Sequence, residues 1–278
     1  GRSGGGVYCD NGSPSLRRCT VIGNLSVSHG GGVFCGGIAN LPFADCTFSG
    51  NDAFRGGAIS AVSNESSASL RNCLLTGNTA SDGGAIRLDG TASLSAISCE
   101  FSANSGGLTG GGGGGAVDYS SSDNNIVYLD GCQFLGNTAV GGGAIDHRSP
   151  NSYIVDCVFT GNVGSDETGT SGSGGAINAS TSLPTLVGCL FTDNSVPGQA
   201  GAIRSGFGAD ATMTGCTFQG NSAGTAGGVL HITGSAATLS MVNCTFIDNS
   251  SVTEAGAFYL SNTALTLQGC NFSGNSSE

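Results

Sequence analysis

A six-residue unit, Cys-x-apolar-x-(Gly/Ala/Asp)-Asn, recurs ten times along this chain of 278 residues. Its cysteines are Cys19, Cys46, Cys73, Cys99, Cys132, Cys157, Cys189, Cys216, Cys244 and Cys270. Its asparagines are Asn24, Asn51, Asn78, Asn104, Asn137, Asn162, Asn194, Asn221, Asn249 and Asn275. A second box, Gly-Gly-Ala/Val-apolar, alternates with the first, as in "GGVF" 31–34, "GGAI" 56–59, 83–86, 142–145 and 174–177, "GGAV" 114–117 and "GGVL" 227–230. "AGAI" 200–203 and "AGAF" 255–258 are worn copies. A self-similar period of about 27 residues signals a solenoid, in which one unit cannot bury its own apolar face and stacked units share a core.

Local chemistry says what each unit does. The residue three before each cysteine is apolar (Leu16, Phe43, Leu70, Leu129, Ile154, Leu186, Met213, Met241, Leu267), with only Ala96 small. The residue just before the cysteine is usually Gly, Asn, Asp or Ser, types that tolerate left-handed or turn geometry, so a corner falls there. In Cys-x-Phe the outer two side chains share one face, because strand side chains alternate with period two. Each repeat therefore reads as three short strands separated by a glycine corner, an asparagine turn and loops of uneven length. Stacking makes columns of like residues: Phe48, Phe101, Phe134, Phe159, Phe191, Phe218, Phe246 and Phe272 in one, the asparagines in a second, the cysteines in a third. Asparagine suits the turn because its amide satisfies backbone groups and it accepts positive φ.

Composition closes off other classes. The 51 glycines lack a Gly-X-Y period, which excludes collagen, and 38% apolar residues is too many for a disordered tail. Nineteen acidic residues against eight arginines and no lysine give a formal charge of −11, which repels nucleic acid and anionic lipid. No apolar run reaches the roughly 18 residues that cross a bilayer, so no membrane insertion is expected. Twelve cysteines without a CxxC pair or zinc spacing predict neither metal nor other cofactor.

The paired "GGAI" and "FSGN", "FTGN", "FQGN" tetrapeptides resemble the GGA(I/L/V) and FxxN repeats of the polymorphic outer membrane protein family of chlamydiae. The resemblance spans nearly the whole chain. It implies an all-β, right-handed parallel β-helix of about ten coils, displayed at a cell surface or outside the cell and often adhesive toward surface glycans. The chain carries no segment matching that family's C-terminal β-barrel.

Chemistry is expected, if anywhere, on the position following each box: Cys9, Cys35, Ser60, Arg87, Asp118, Asp146, Asn178, Arg204, His231 and Tyr259. This stripe is read as facing outward. Asp118 and Asp146, one coil apart, with His147 and Arg148 following, are the candidate catalytic group for a polysaccharide-acting enzyme, since paired carboxylates about 5 Å apart serve retaining glycosidases. A solvated polar face is the competing reading. Cys9 and Cys35 occupy equivalent places in adjacent coils and form a disulfide candidate. The ten column cysteines fit a disulfide's Cα spacing, but parallel Cβ vectors about 4.8 Å apart exceed the usual 3.5–4.5 Å, favouring buried thiols over bridges. Among eight Asn-x-Ser/Thr sequons, Asn64 and Asn178 are the expected exposed glycosylation sites.

The repeat is in phase at both ends of a single β-helix domain spanning residues 1–278. Either the chain is a segment of a longer solenoid or copies stack head to tail, the Glu278 side of one against the Gly1 side of the next, into a filament.

Overall fold

A computed structural model describes residues 3–62, 66–107, 113–119, 126–149, 151–165, 169, 172–206, 210–234 and 237–278. Among the described residues there is no helix, and all strands are short and pair in parallel into four sheets of ten, ten, ten and nine strands. Three sheets take one strand from each of ten coils and the fourth lacks a strand from the first coil, so about nine turns separate the first strand of a ten-stranded sheet from its last.

One coil shows the route. Ile59–Val62 follows the Gly box and lies in the box sheet; Ser67–Arg71 precedes the cysteine and lies in a second sheet. Leu74–Thr76 carries the central apolar residue in a third, and Thr79–Asp82 follows the asparagine in the fourth. The fourth strand corrects the expectation of three strands per coil. In many coils it is only two residues long, as in Ser105–Gly106 and Thr138–Ala139, too short to display an alternating pattern.

The corners carry the left-handed residues. Asp45, Asn72 and Ser98 before the cysteines have φ of 52–55°. At the second corner the positive φ falls on the residue before the asparagine, as in Gly50, Gly77 and Ala103, not on the asparagine itself. Asparagine is therefore selected for its side chain. Each amide nitrogen donates to the Oδ1 of the following rung's asparagine at 2.8–3.0 Å. That same oxygen also accepts the donor residue's backbone N–H at 3.0–3.1 Å. The second amide hydrogen goes to the carbonyl of the central apolar residue one coil earlier, for example Asn78 to Phe48 at 3.0 Å. Every buried polar group of the corner is thereby paired, as a water-free interior demands.

The core is the space enclosed by the sheets. From Phe101 through Phe246 the rings stack face to face with centroids 4.6–5.2 Å apart and planes within 11°. Val21 and Leu75 complete the column among the earlier rungs. Box glycines are needed because the coils approach closely there: a Cβ on Gly57, Gly84 or Gly115 would collide with the carbonyl of the next box.

Candidate functional site

The outer face of the box sheet carries a column of polar and ionisable side chains. Asp118 lies between Val117 and Tyr119, both core residues, so alternation sends its carboxylate to the opposite face. Register stacks Arg87, Asp118, Asp146, Asn178, Arg204, His231 and Tyr259 on successive rungs. Neighbours in the column are bonded. Arg87 Nη1 pairs with Asp118 and Arg87 Nη2 with Asp89 at 2.7 Å. Asn178 Nδ2 donates to Asp146 Oδ1 at 3.1 Å, and Arg204 Nη1 donates to Asn178 Oδ1 at 3.2 Å. The His231 and Tyr259 rings stack at 4.7 Å.

Contrary to the expectation of a solvated stripe, much of this column is covered. Asp118 is 0% exposed, Asp146 1%, His231 3% and Arg87 7%. At Asp118 the entering chain is close by: a side chain at Gly113 would press on its carboxylate. Burial, and then the nearby Asp118 charge, raise Asp146 well above the usual carboxylate range. Burial opposes the Arg87 charge, but Asp118 and Asp89 more than offset it and hold the guanidinium charged. The pair is thus divided into one carboxylate tied to a cation and one that favours its proton.

The other two candidate catalytic residues do not join them. His147 points into the core, is fully buried and meets the Tyr119 ring edge-on at 5.0 Å. Desolvation lowers its pKa to about 3, leaving a neutral imidazole whose Nδ1 accepts the Ser149 N–H at 3.3 Å. Arg148 is exposed. Among the described residues Tyr119 Oη and His147 Nε2 make no hydrogen bond of normal geometry, with the Ser152 hydroxyl beside Tyr119, a buried polar pocket in the core that no repeat letter announced.

Cys9 and Cys35 are rung partners, but they do not belong to the outer stripe. Register aligns Tyr8 and Phe34 with Ser60 and Arg87, and aligns Cys35 with Ala61 and Leu88 on the inner face. The first two boxes therefore read "GGGV", one residue earlier than the letters suggest, and a one-residue slip turns a side chain to the other face. Both are free thiols, and burial followed by the Cys9 neighbour pushes Cys35 up to about 12.

The ten corner cysteines are also free thiols. Their sulfurs donate to backbone carbonyls two residues back, as Cys46 does to Ala44 at 3.2 Å, or to the preceding coil, as Cys132 does to Ala96 at 3.3 Å. Hydrogen bonding to a neighbouring thiol, with burial, pushes Cys99 (through Cys132), Cys132 (through Cys157) and Cys216 (through Cys189) up to about 12.

Asn178 does not offer a glycosylation site here. It is 7% exposed and its amide is committed to Asp146 and Arg204. Asn64 lies outside the described residues, as do Gly1 and residues 108–112 of the glycine run 108–117. Among the described residues no three His, Cys, Asp or Glu side chains converge as a metal site would require.

Two segments, residues 5–174 and 164–278, match the family model described as the right-handed β-helix region. No curated protein and no solved structure matches the chain. The family match covers nearly every rung and agrees with four parallel sheets wound around one core, so the chain belongs to the right-handed β-helix family.

Proposed function

We propose that this chain is a structural β-helical rod of an extracellular or cell-surface assembly, lengthened by head-to-tail stacking of copies and adhesive along its sides. The single direction of the asparagine ladder carries the reading. Every rung donates toward the following rung, so Asn275 at one end has backbone and column geometry suited to donate, and Asn24 at the other to accept. The columns supply matching partners: Phe258, Leu260, Leu267 and Phe272 occupy the positions that Val7, Cys9, Leu16 and Val21 hold in the first rung. Charge agrees in sign: the first coil carries Arg17 and Arg18, the last Glu254 and Glu278. The GGAI/FxxN resemblance to a family of surface proteins supports the location, and surface glycans are the proposed adhesive partner.

Sedimentation velocity over a range of concentrations, with negative-stain microscopy, tests the stacking. Lengthening rods are expected, with Phe272→Asp abolishing the growth and Thr160→Asp on a side face leaving it intact. Short monodisperse rods at every concentration would refute self-stacking.

A polysaccharide-acting enzyme is the second reading, favoured by a raised Asp146 carboxyl one rung from the Arg87-paired Asp118 and opposed by the burial of both. Turnover on a glycan panel that disappears in Asp146→Asn would establish it.

A further inference from the structure

The cysteine corner has a spacing that suits one kind of ligand. Successive rungs hold their cysteines in strict register: the N–H following each cysteine donates to the preceding rung's cysteine carbonyl at 2.9 Å, from Thr47 to Cys19 through Asn271 to Cys244. Side chains in such a column repeat at the strand spacing of about 4.8 Å. Thiols in the runs Cys73–Cys99–Cys132–Cys157 and Cys189–Cys216–Cys244 interact directly with their neighbours. A disulfide needs Cβ atoms drawn to about 3.5–4.5 Å, which the backbone register resists. A metal ion held linearly between two sulfurs, with metal–sulfur bonds of about 2.3 Å, spans about 4.6 Å between them. That matches the rung.

The ligand number points the same way. Zinc in structural sites takes four ligands, and the column offers each ion only the sulfur above and the sulfur below. Soft closed-shell ions that accept two thiolates are the class that remains. We propose that the thiol column binds such ions, one between the sulfurs of two successive rungs, with mercuric ion as the type example. The exchange is 2 R–SH + Hg²⁺ → R–S–Hg–S–R + 2 H⁺: two S–H bonds break, two S–Hg bonds form, both protons leave to solvent, and nothing is oxidised or reduced. A divalent ion leaves the unit neutral, which the corner requires because nine of the twelve cysteines are buried there or in the adjoining core. A groove of about 330 Å³ opens over the column at Cys73 and Cys99, with Asn72, Ser98, Glu100 and Gln133 also lining it, and this is the proposed point of entry.

Any reduced cysteine binds mercury, so the test reads geometry and folding. Fully reduced native protein is titrated anaerobically with mercuric chloride, followed by X-ray absorption and by thermal unfolding. The expected result is two sulfur ligands per ion, one ion per two column thiols, and a melting temperature that rises with loading because the ion bridges rungs of the folded state. Cys99→Ala and Cys132→Ala together should lower the column's loading from five ions to three, because runs of three and five successive thiols remain, without altering the circular dichroism, whereas Cys9→Ala should leave the column's loading unchanged. If the double variant fails to fold, Cys99→Ser with Cys132→Ser serves the same purpose. Three or four ligands per ion, or a melting temperature that falls on loading, would overturn the proposal.

Discussion

Replacing Asn137 by alanine is expected to cost far more than replacing Asn275. Asn137 is fully buried. Its Oδ1 accepts from the backbone N–H and the Nδ2 of Asn104, both at 3.0 Å, and its own Nδ2 donates to Phe101 O at 2.9 Å and Asn162 Oδ1 at 3.0 Å. Alanine deletes all four bonds. Asn162 Oδ1 keeps the backbone N–H of residue 137, but two donors on Asn104 lose their acceptor inside a closed corner. At about 1–3 kcal/mol for each orphaned buried group, the loss is about 2–6 kcal/mol, a large share of a typical domain's stability. Asn275→Ala removes the same acceptor from Asn249, but in a part-buried rung where water replaces it, for about 1 kcal/mol or less. Urea unfolding followed by circular dichroism measures both. Asn137→Asp sharpens the test: a carboxylate keeps the two acceptor roles and loses both donor roles, so this variant should regain stability on acidification as it recovers one O–H. Equal, small costs at the two positions would refute the claim that the ladder amides hold the coils together.

Other expectations concern the core and the covered column. Phe159→Ala should cost about 3–5 kcal/mol in urea unfolding, and Phe272→Ala, at an exposed rung, much less. Arg87→Met should cost about 3–5 kcal/mol by stranding Asp118, and Arg87→Met with Asp118→Leu should recover most of it. Asp146 has a raised folded pKa, so its contribution is fully present below the ordinary carboxylate value near 3.9 and is lost as pH rises through the raised value. His147 is depressed to about 3, so its contribution is present above about 6.5 and is lost as pH falls toward 3. Melting temperatures across this range should therefore show two opposing limbs: Asp146→Asn should flatten the one at rising pH, and His147→Leu the one at falling pH. With a bulky thiol reagent, which unlike a bare ion cannot pass between the coils, the native protein should react quickly at the half-buried Cys9, Cys19 and Cys270 and more slowly at Cys73 and Cys99 beneath the groove, the other seven cysteines following the rate of unfolding.

How much was legible follows from what repeats. Cys-x-Phe and the closing asparagine recur with invariant spacing because their side chains bond or stack with the same atoms one coil away, so the coils, the phenylalanine stack and the asparagine ladder are written plainly. The two-residue strands such as Thr138–Ala139 are not, because pairing there rests on backbone bonds alone. The register of Cys9 and Cys35 was misread since three consecutive glycines, Gly30 to Gly32, leave the box ambiguous by one position. Burial of Asp118 and Asp146 was invisible for a different reason. What lies over Asp118 is the backbone entering the box at Gly113, and the spacing between boxes varies from coil to coil and carries no period.

The claim beneath all of this is that each coil lies in register on the one before it. The most direct test is a nuclear Overhauser spectrum of the asparagine side-chain amides. In-register stacking predicts cross-peaks from the Asn137 amide to those of Asn104 and Asn162, 33 and 25 residues away, and likewise along the whole ladder. Amides that show only sequence-local neighbours would contradict it.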